Sequence, residues 1–224
     1  MKVAVVLSGC GYLDGAEIHE SVLCLLALAQ NGHEFHCFAP DIEQVKVVNH
    51  RTGKDEGNER RNVLTEAARI ARGDISPVSA LRSDEFDALL IPGGFGVALN
   101  ISSFAEEQEN CSVNEDCKKA VLSFYKSAKP IGATCIAPAA LGKIFQDVTA
   151  VTMTLGRSPD ANENLTKMGM IAQEAGVEEM VADEKNKVFT TPAYMEPDDL
   201  AGMFKGIQKV IKKLEQYQRV GSSG

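Results

Sequence analysis

Cys135 stands where a strand-like stretch gives way to a helix-like one, in the string Gly132-Ala133-Thr134-Cys135-Ile136-Ala137-Pro138-Ala139. A thiol there faces the positive end of the following helix dipole, which favours thiolate and predicts a lowered pKa. Small neighbours at Gly132, Ala133 and Ala137 leave room for a sharp strand–nucleophile–helix turn. The same place suits a buried structural cysteine, and the local string leaves both readings open. Pro92-Gly93-Gly94-Phe95-Gly96 is a second candidate, because glycine lets the backbone approach a ligand and its N–H groups can meet an oxyanion. Taken alone, the string fits a plain tight turn better than a binding loop. Gly9, Gly11 and Gly15 miss the dinucleotide pattern G-x-G-x-x-G, and no P-loop lysine follows them.

Glu17, His19 and Glu20 open a helix, where acidic residues ordinarily complement the dipole. The helix beyond Glu20 is so apolar that its carboxyl is expected to point into a cleft. Beside a thiolate a carboxylate repels, whereas a protonated carboxyl donates a hydrogen bond to sulfur. The four histidines are His19, His33, His36 and His50, so a Cys–His dyad with a histidine downstream of Cys135 is excluded. No His/Cys/Asp cluster has zinc spacing, and no metal site is expected.

These residues need elements to hold them. Lys2–Ser8, Glu34–Ala39, Asp87–Ile91, Pro130–Thr134, Thr149–Leu155 and Lys187–Thr191 read as strands. Helices are predicted over Glu17–Gln30, closed by Asn31-Gly32, over Asn58–Arg72, Asn114–Ser127 and Ala137–Ile144, and over Pro197–Gln216. The last carries Leu200, Met203, Phe204, Ile207, Val210, Ile211 and Leu214 on one stripe. Short buried strands alternating with helices predict an α/β fold with a mostly parallel sheet covered on both faces. Its ligands are expected at the carboxyl ends of the strands, where the segments 8–20, 92–100 and 135–138 converge. One domain over residues 1–219 is expected, followed by a polar tail at Val220–Gly224 with no assigned role.

Composition narrows the partners. Of 224 residues, 44% are hydrophobic and 24% charged, which supports a packed core. A net charge of −8 and the absence of Trp argue against nucleic acid. No apolar run approaches the roughly 20 residues of a membrane span. The six cysteines form no CxxC pair and follow no secretory signal, which points to reduced thiols in the cytoplasm.

In combination, the stretch GAEIHESV (Gly15–Val22), the loop IPGGFG and the elbow ATCIAPAAL resemble the ThiJ/PfpI-like superfamily, which has the class I glutamine-amidotransferase-like fold. LSGCGYLDG, CFAPD, NHRTG, RNVLTEAARIARG, PGGFGVALN and TTPAYM resemble its ElbB-type branch, known as enhancing-lycopene-biosynthesis or glyoxalase-like proteins. The similarity runs from about Val3 to Met195. It implies a flavodoxin-like three-layer sandwich with Cys135 as the reactive cysteine on a nucleophile elbow and Glu20 as the carboxyl paired with it. Gly93 or Gly94 and the amide of Ile136 fall where the superfamily places its anion-binding amides. His19 is inferred to line the same cleft from its place beside Glu20. Asn49, His50, Arg61 and Asn100 lie in branch motifs and are further pocket candidates.

Ile136 follows Cys135 where many catalytic members carry histidine, which counts against glutaminase and protease activity. The resemblance therefore implies a glutathione-independent glyoxalase-like lyase acting on small 2-oxoaldehydes such as methylglyoxal. It needs no cofactor, its cleft is expected to be small, and the protein is expected to be a homodimer. The alternatives are a redox-sensing or stress-response protein using the same cysteine, and a metabolite-binding pseudo-enzyme.

Overall fold

The computed structural model describes residues 1–197 and 199–221, with side chains to residue 217. Its central sheet has seven strands in the order β10-β11-β7-β6-β1-β2-β5. These are β1 (Lys2–Val6), β2 (Glu34–Ala39), β5 (Ile75–Pro77), β6 (Ala88–Ile91), β7 (Ile131–Thr134), β10 (Val181–Asp183) and β11 (Val188–Thr191). All neighbours pair parallel except β10 with β11. The α/β class with a mostly parallel sheet flanked by helices is therefore the observed one.

The side-chain period of two decides which helices cover which face. Val3 and Val5 of β1 and Ala88 and Leu90 of β6 bury against α1 (Ile18–Gln30), α2 (Val63–Ile70) and α7 (Leu200–Gly221). Ala4, Val6, Leu89 and Ile91 point the other way, toward α4 (Glu115–Lys126) and α5 (Ala137–Phe145). A short helix α3 (Phe104–Glu107) and α6 (Pro159–Lys167) complete the helices. Burial of each large aliphatic side chain here contributes about 1.5–3 kcal/mol. No described helix is long and apolar enough to cross a membrane.

Several boundaries differ from the sequence reading. The helix expected from Asn58 begins at Val63, because Asn62 caps it by accepting from the Thr65 N–H and the Val63 N–H is taken by Ile42. The region expected as the strand Thr149–Leu155 yields only β8 (Thr152–Met153), which pairs with β9 (Ile171–Ala172) outside the main sheet. A hairpin of β3 (Val48–Asn49) and β4 (Lys54–Asp55), together with β5 and α6, had no counterpart in that reading. Helix α7 buries Met203, Ile207, Val210, Ile211 and Leu214, but Leu200 from the expected stripe is exposed. Val220 and Gly221 continue α7 rather than opening a tail, and Ser222–Gly224 lie outside the described residues.

The chain leaves β1 toward β2 on one side and returns to β6 on the other, so the strand order reverses between β1 and β6. A crevice must open at such a switch point beyond the carboxyl ends. There the loop after β1 and the loop after β6 are laced together. Glu17 N–H donates to the Gly93 carbonyl at 2.9 Å, Phe95 N–H to Tyr12 at 2.8 Å, and Gly96 N–H to Gly15 at 2.9 Å. A π-helical turn, Val97–Ile101, follows directly.

Candidate active site

Cys135 occupies the single residue between β7 and the Ile136 cap of α5, with φ +58°. Holding a non-glycine residue there costs of order 1–3 kcal/mol. The neighbouring strand anchors it, because the Cys135 N–H donates to the Thr191 carbonyl at 2.9 Å. Gly93 makes the packing possible, since a Cβ on it would lie 2.4 Å from the Cys135 Cβ and 2.8 Å from Glu20 Oε2. Gly94, at φ +103°, has no room for a side chain against Gly15–Glu17 either.

Glu20 is fully buried on the first turn of α1. The Glu17 side chain caps that turn by accepting the Glu20 N–H. Glu20 Oε2 accepts from the Thr134 hydroxyl at 2.7 Å and the Gly93 N–H at 3.0 Å, and Oε1 accepts from the Tyr194 N–H at 3.4 Å. Burial pushes its pKa up to about 7, against the hydrogen bonds from Thr134 and Cys135 that favour the carboxylate. The pair is thus Cys135 S–H donating to Glu20.

The thiol does not have the lowered pKa expected of it. Burial first, then the charge of Glu20 and the hydrogen bond to it, push Cys135 well above the ordinary thiol value. The amides of Gly94 and Ile136 point at the sulfur and favour thiolate, but they are the smaller influence. The helix-terminus argument identified the Ile136 amide and missed the desolvation that outweighs it together with Gly94.

Cys135 forms part of the floor of a cavity of about 810 Å³, with Ile136 and Gly94 beside it. His19 lines it, and its Nδ1 shares a 2.7 Å hydrogen bond with the Tyr194 hydroxyl. Tyr12, Phe95, Met195 and Leu200 supply apolar wall, so the cleft is not the small one expected. Of the two glycines, only Gly94 keeps its amide on the sulfur; the Gly93 amide is occupied by Glu20 and the Thr134 hydroxyl.

Four pocket candidates lie off the cavity lining. Asn49 caps the hairpin turn through the Arg51 and Thr52 N–H groups. Arg61 pairs with Glu59 and Glu66. Asn100 is buried and ties together the Ser8 carbonyl, the Asp14 carbonyl and the Val45 N–H. His50 accepts the Leu13 N–H and stacks edge-on against Tyr12, so it reaches the cavity only through that ring. Sequence reasoning missed Thr134, Tyr12, Phe95, Tyr194, Met195 and Leu200 as site residues. The family strings LSGCGYLDG, PGGFGVALN, ATCIAPAAL and TTPAYM contain all of them except Leu200. Among the described residues no group of three or more His, Cys, Asp or Glu side chains is placed to hold a metal ion.

No family model matches the chain. It is 40% identical over 222 residues to the rat (Rattus norvegicus) protein named "ES1 protein homolog, mitochondrial", spanning 95% of this chain and 82% of that protein. The human (Homo sapiens) "glutamine amidotransferase-like class 1 domain-containing protein 3, mitochondrial" is 39% identical over the same coverage. Among solved structures, an isoprenoid biosynthesis protein with an amidotransferase-like domain from Ehrlichia chaffeensis superposes with a TM-score of 0.91. It is 40% identical and covers 97% of this chain and 100% of that one. Drosophila melanogaster DJ-1beta, at 16% identity and TM-score 0.55 over 98% and 96%, shares the fold alone. These likenesses agree with the ElbB-type resemblance read in the sequence.

Proposed function

The chain belongs to the ES1 family, whose fold is that of the DJ-1/ThiJ/PfpI superfamily, and from that premise we propose that it is a cofactor-independent, glyoxalase-like lyase with Cys135 as nucleophile. One observation carries the reading. A thiol on a strained elbow donates to a buried carboxyl titrating at about 7, with two amides aimed at the same sulfur. A base whose pKa lies near the working pH is both deprotonated enough to accept a proton and basic enough to hold it.

Glu20 takes the thiol proton as sulfur bonds to the aldehyde carbon of a 2-oxoaldehyde, and the carbonyl oxygen takes up a proton to give a hemithioacetal. The amides of Gly94 and Ile136 are the donors nearest that developing oxyanion. Loss of the proton on the former aldehyde carbon and its return at the ketone carbon give a 2-hydroxy thioester. One carbon is oxidised and its neighbour reduced within the same molecule, so no external oxidant is required. Water cleaves the thioester to the 2-hydroxy acid and restores the thiol. His19, hydrogen-bonded to Tyr194 at the cavity wall, offers the exchange route to solvent that buried Glu20 lacks.

The redox-sensor alternative draws less support, because it rests on a thiolate at rest and burial raises this thiol. The test is formation of 2-hydroxy acid from methylglyoxal and longer alkylglyoxals. Cys135→Ala is expected to abolish it and Glu20→Gln to lower kcat/KM by roughly 10²-fold or more. Absence of product from every chain length refutes the proposal. The cytoplasmic location expected from the unpaired cysteines is a proposal alongside the mitochondrial one carried by the relatives' names.

A further inference from the structure

The cavity is far larger than a three-carbon oxoaldehyde requires. Its volume of about 810 Å³ lies in the upper part of the roughly 300–1,000 Å³ range of pockets that enclose ligands of drug size. Tyr12, Phe95 and Leu200 are 49%, 45% and 51% exposed, so large apolar side chains from three separate segments face solvent around one opening. Apolar surface gathered in this way marks a place that is covered when occupied.

The charge of the lining is one-sided. Glu17 and His19 are its only ionisable side chains besides Cys135 and the two tyrosines, and no Lys or Arg is among the described lining residues. Glu17 is nearly buried and fixed by its bond to the Glu20 N–H, and Glu20 sits behind the sulfur. An anionic ligand would face the Glu17 carboxyl across a wall of low polarity, with His19 the one described lining side chain able to carry a counter-charge.

We propose that this cavity takes an uncharged carbonyl compound with an extended apolar body, on the order of six or more carbons, its carbonyl at Cys135 and its body against Tyr12, Phe95 and Leu200. Carboxylated or phosphorylated carbonyls are disfavoured by Glu17. This inference rests on the Cys135 reading above for where the carbonyl sits.

The probe is alkylation of Cys135 in the full chain by N-alkylmaleimides from methyl to hexyl. Second-order rates are read by peptide mass spectrometry, which separates Cys135 from half-buried Cys10, and glutathione serves as the chain-length control. The rate at Cys135 is expected to rise roughly three- to fourfold per added methylene until the wall is covered, the equivalent of burying one CH₂. N-Hexylmaleimide is expected to outpace 6-maleimidocaproate, of like length but anionic, at least tenfold, and Glu17→Gln, which can still cap Glu20, is expected to narrow that ratio. A flat series, a faster carboxylate, an unchanged ratio in Glu17→Gln, or a Cys135 that no maleimide reaches overturns the proposal. Alkylation requires access to sulfur and no proton relay to a substrate carbon. A steep, charge-selective series with every oxoaldehyde unconverted would therefore sink the lyase and keep the pocket preference. Turnover of methylglyoxal with a flat series would do the reverse.

Discussion

Glu20→Gln offers a stringent test of the site's electrostatics, because it can be read without any substrate. In the folded protein the carboxyl titrates at about 7 against an ordinary 4.5, and burial is the cause. The folded state therefore holds this proton more tightly than the unfolded state. The stabilisation that this proton provides is fully present below about 4.5 and is lost as pH rises through about 7. At 1.36 kcal/mol per pKa unit, the shift corresponds to about 3 kcal/mol of stability lost between those limits. Glutamine keeps an acceptor for the Thr134 hydroxyl and Gly93 N–H and has nothing to ionise. Urea unfolding of wild type and Glu20→Gln at half-unit steps from pH 4.5 to 8.5 measures the difference directly. The variant's stability relative to wild type is expected to climb by about 3 kcal/mol across that range, most steeply between pH 5 and 7. Two curves that run parallel would falsify the assignment of a buried, proton-holding carboxyl at this position.

The same variant is expected to alkylate more slowly at Cys135 with iodoacetamide at pH 8, since it lacks the carboxylate that takes the thiol proton as an electrophile bonds to sulfur; a faster reaction would show that the charge of Glu20 holds the thiol back more than its basicity assists it. Gly93→Ala places a Cβ within 2.4 Å of the Cys135 Cβ, so a loss of at least about 2 kcal/mol in urea unfolding is expected, and wild-type stability would show that the loops move apart freely. Asn100→Ala removes the clamp on Ser8, Asp14 and Val45, with an expected cost of about 2–4 kcal/mol and little change in Cys135 alkylation; altered alkylation at full stability would return Asn100 to the cavity. Tyr194→Phe keeps the wall and removes the partner of His19, so kcat is expected to fall roughly tenfold with KM held, and an unchanged kcat removes the pair from the proton route. A homodimer is proposed, and sedimentation at micromolar concentration giving a mass near 24.1 kDa would exclude it.

What the sequence disclosed was whatever a short string settles by itself. Val3–Val6 and Ala88–Ile91 are apolar on both faces, and so they announce buried parallel strands. Cys135 between Thr134 and Ile136, and Glu20 at the head of an apolar helix, are local facts of the same kind, and the structure brings the two together. The cavity walls are not local. Tyr12 comes from the loop after β1, Phe95 from the loop after β6, Tyr194 and Met195 from the turn after β11, and Leu200 from α7. Their meeting is decided by strand order, which no window of residues contains. Asn49, His50 and Arg61 differ in the opposite sense, because a family string marks them without saying that Asn49 and His50 sit on the β3–β4 hairpin and Arg61 beyond it, off the cavity lining.

The protonation of the site shows the same division more sharply. From sequence, Cys135 has one neighbour that matters, the helix start, and the sign of its shift is downward. In the fold, burial, the charge of Glu20 and the hydrogen bond to it all raise the thiol, and they prevail over the amides of Gly94 and Ile136 that lower it. A carboxyl at about 7 in contact with a thiol raised well above its ordinary value gives up its proton first, and the S–H then donates to the carboxylate. On the lyase reading this has a kinetic consequence that a resting thiolate lacks. The nucleophile is silent toward solvent oxidants and becomes active as an electrophile draws the proton onto Glu20, so kcat/KM should rise through about pH 7 while the rate of peroxide oxidation at Cys135 stays low across the same range. Parallel pH profiles for the two reactions would show that sulfur is activated before the substrate arrives, and would favour the sensor over the lyase.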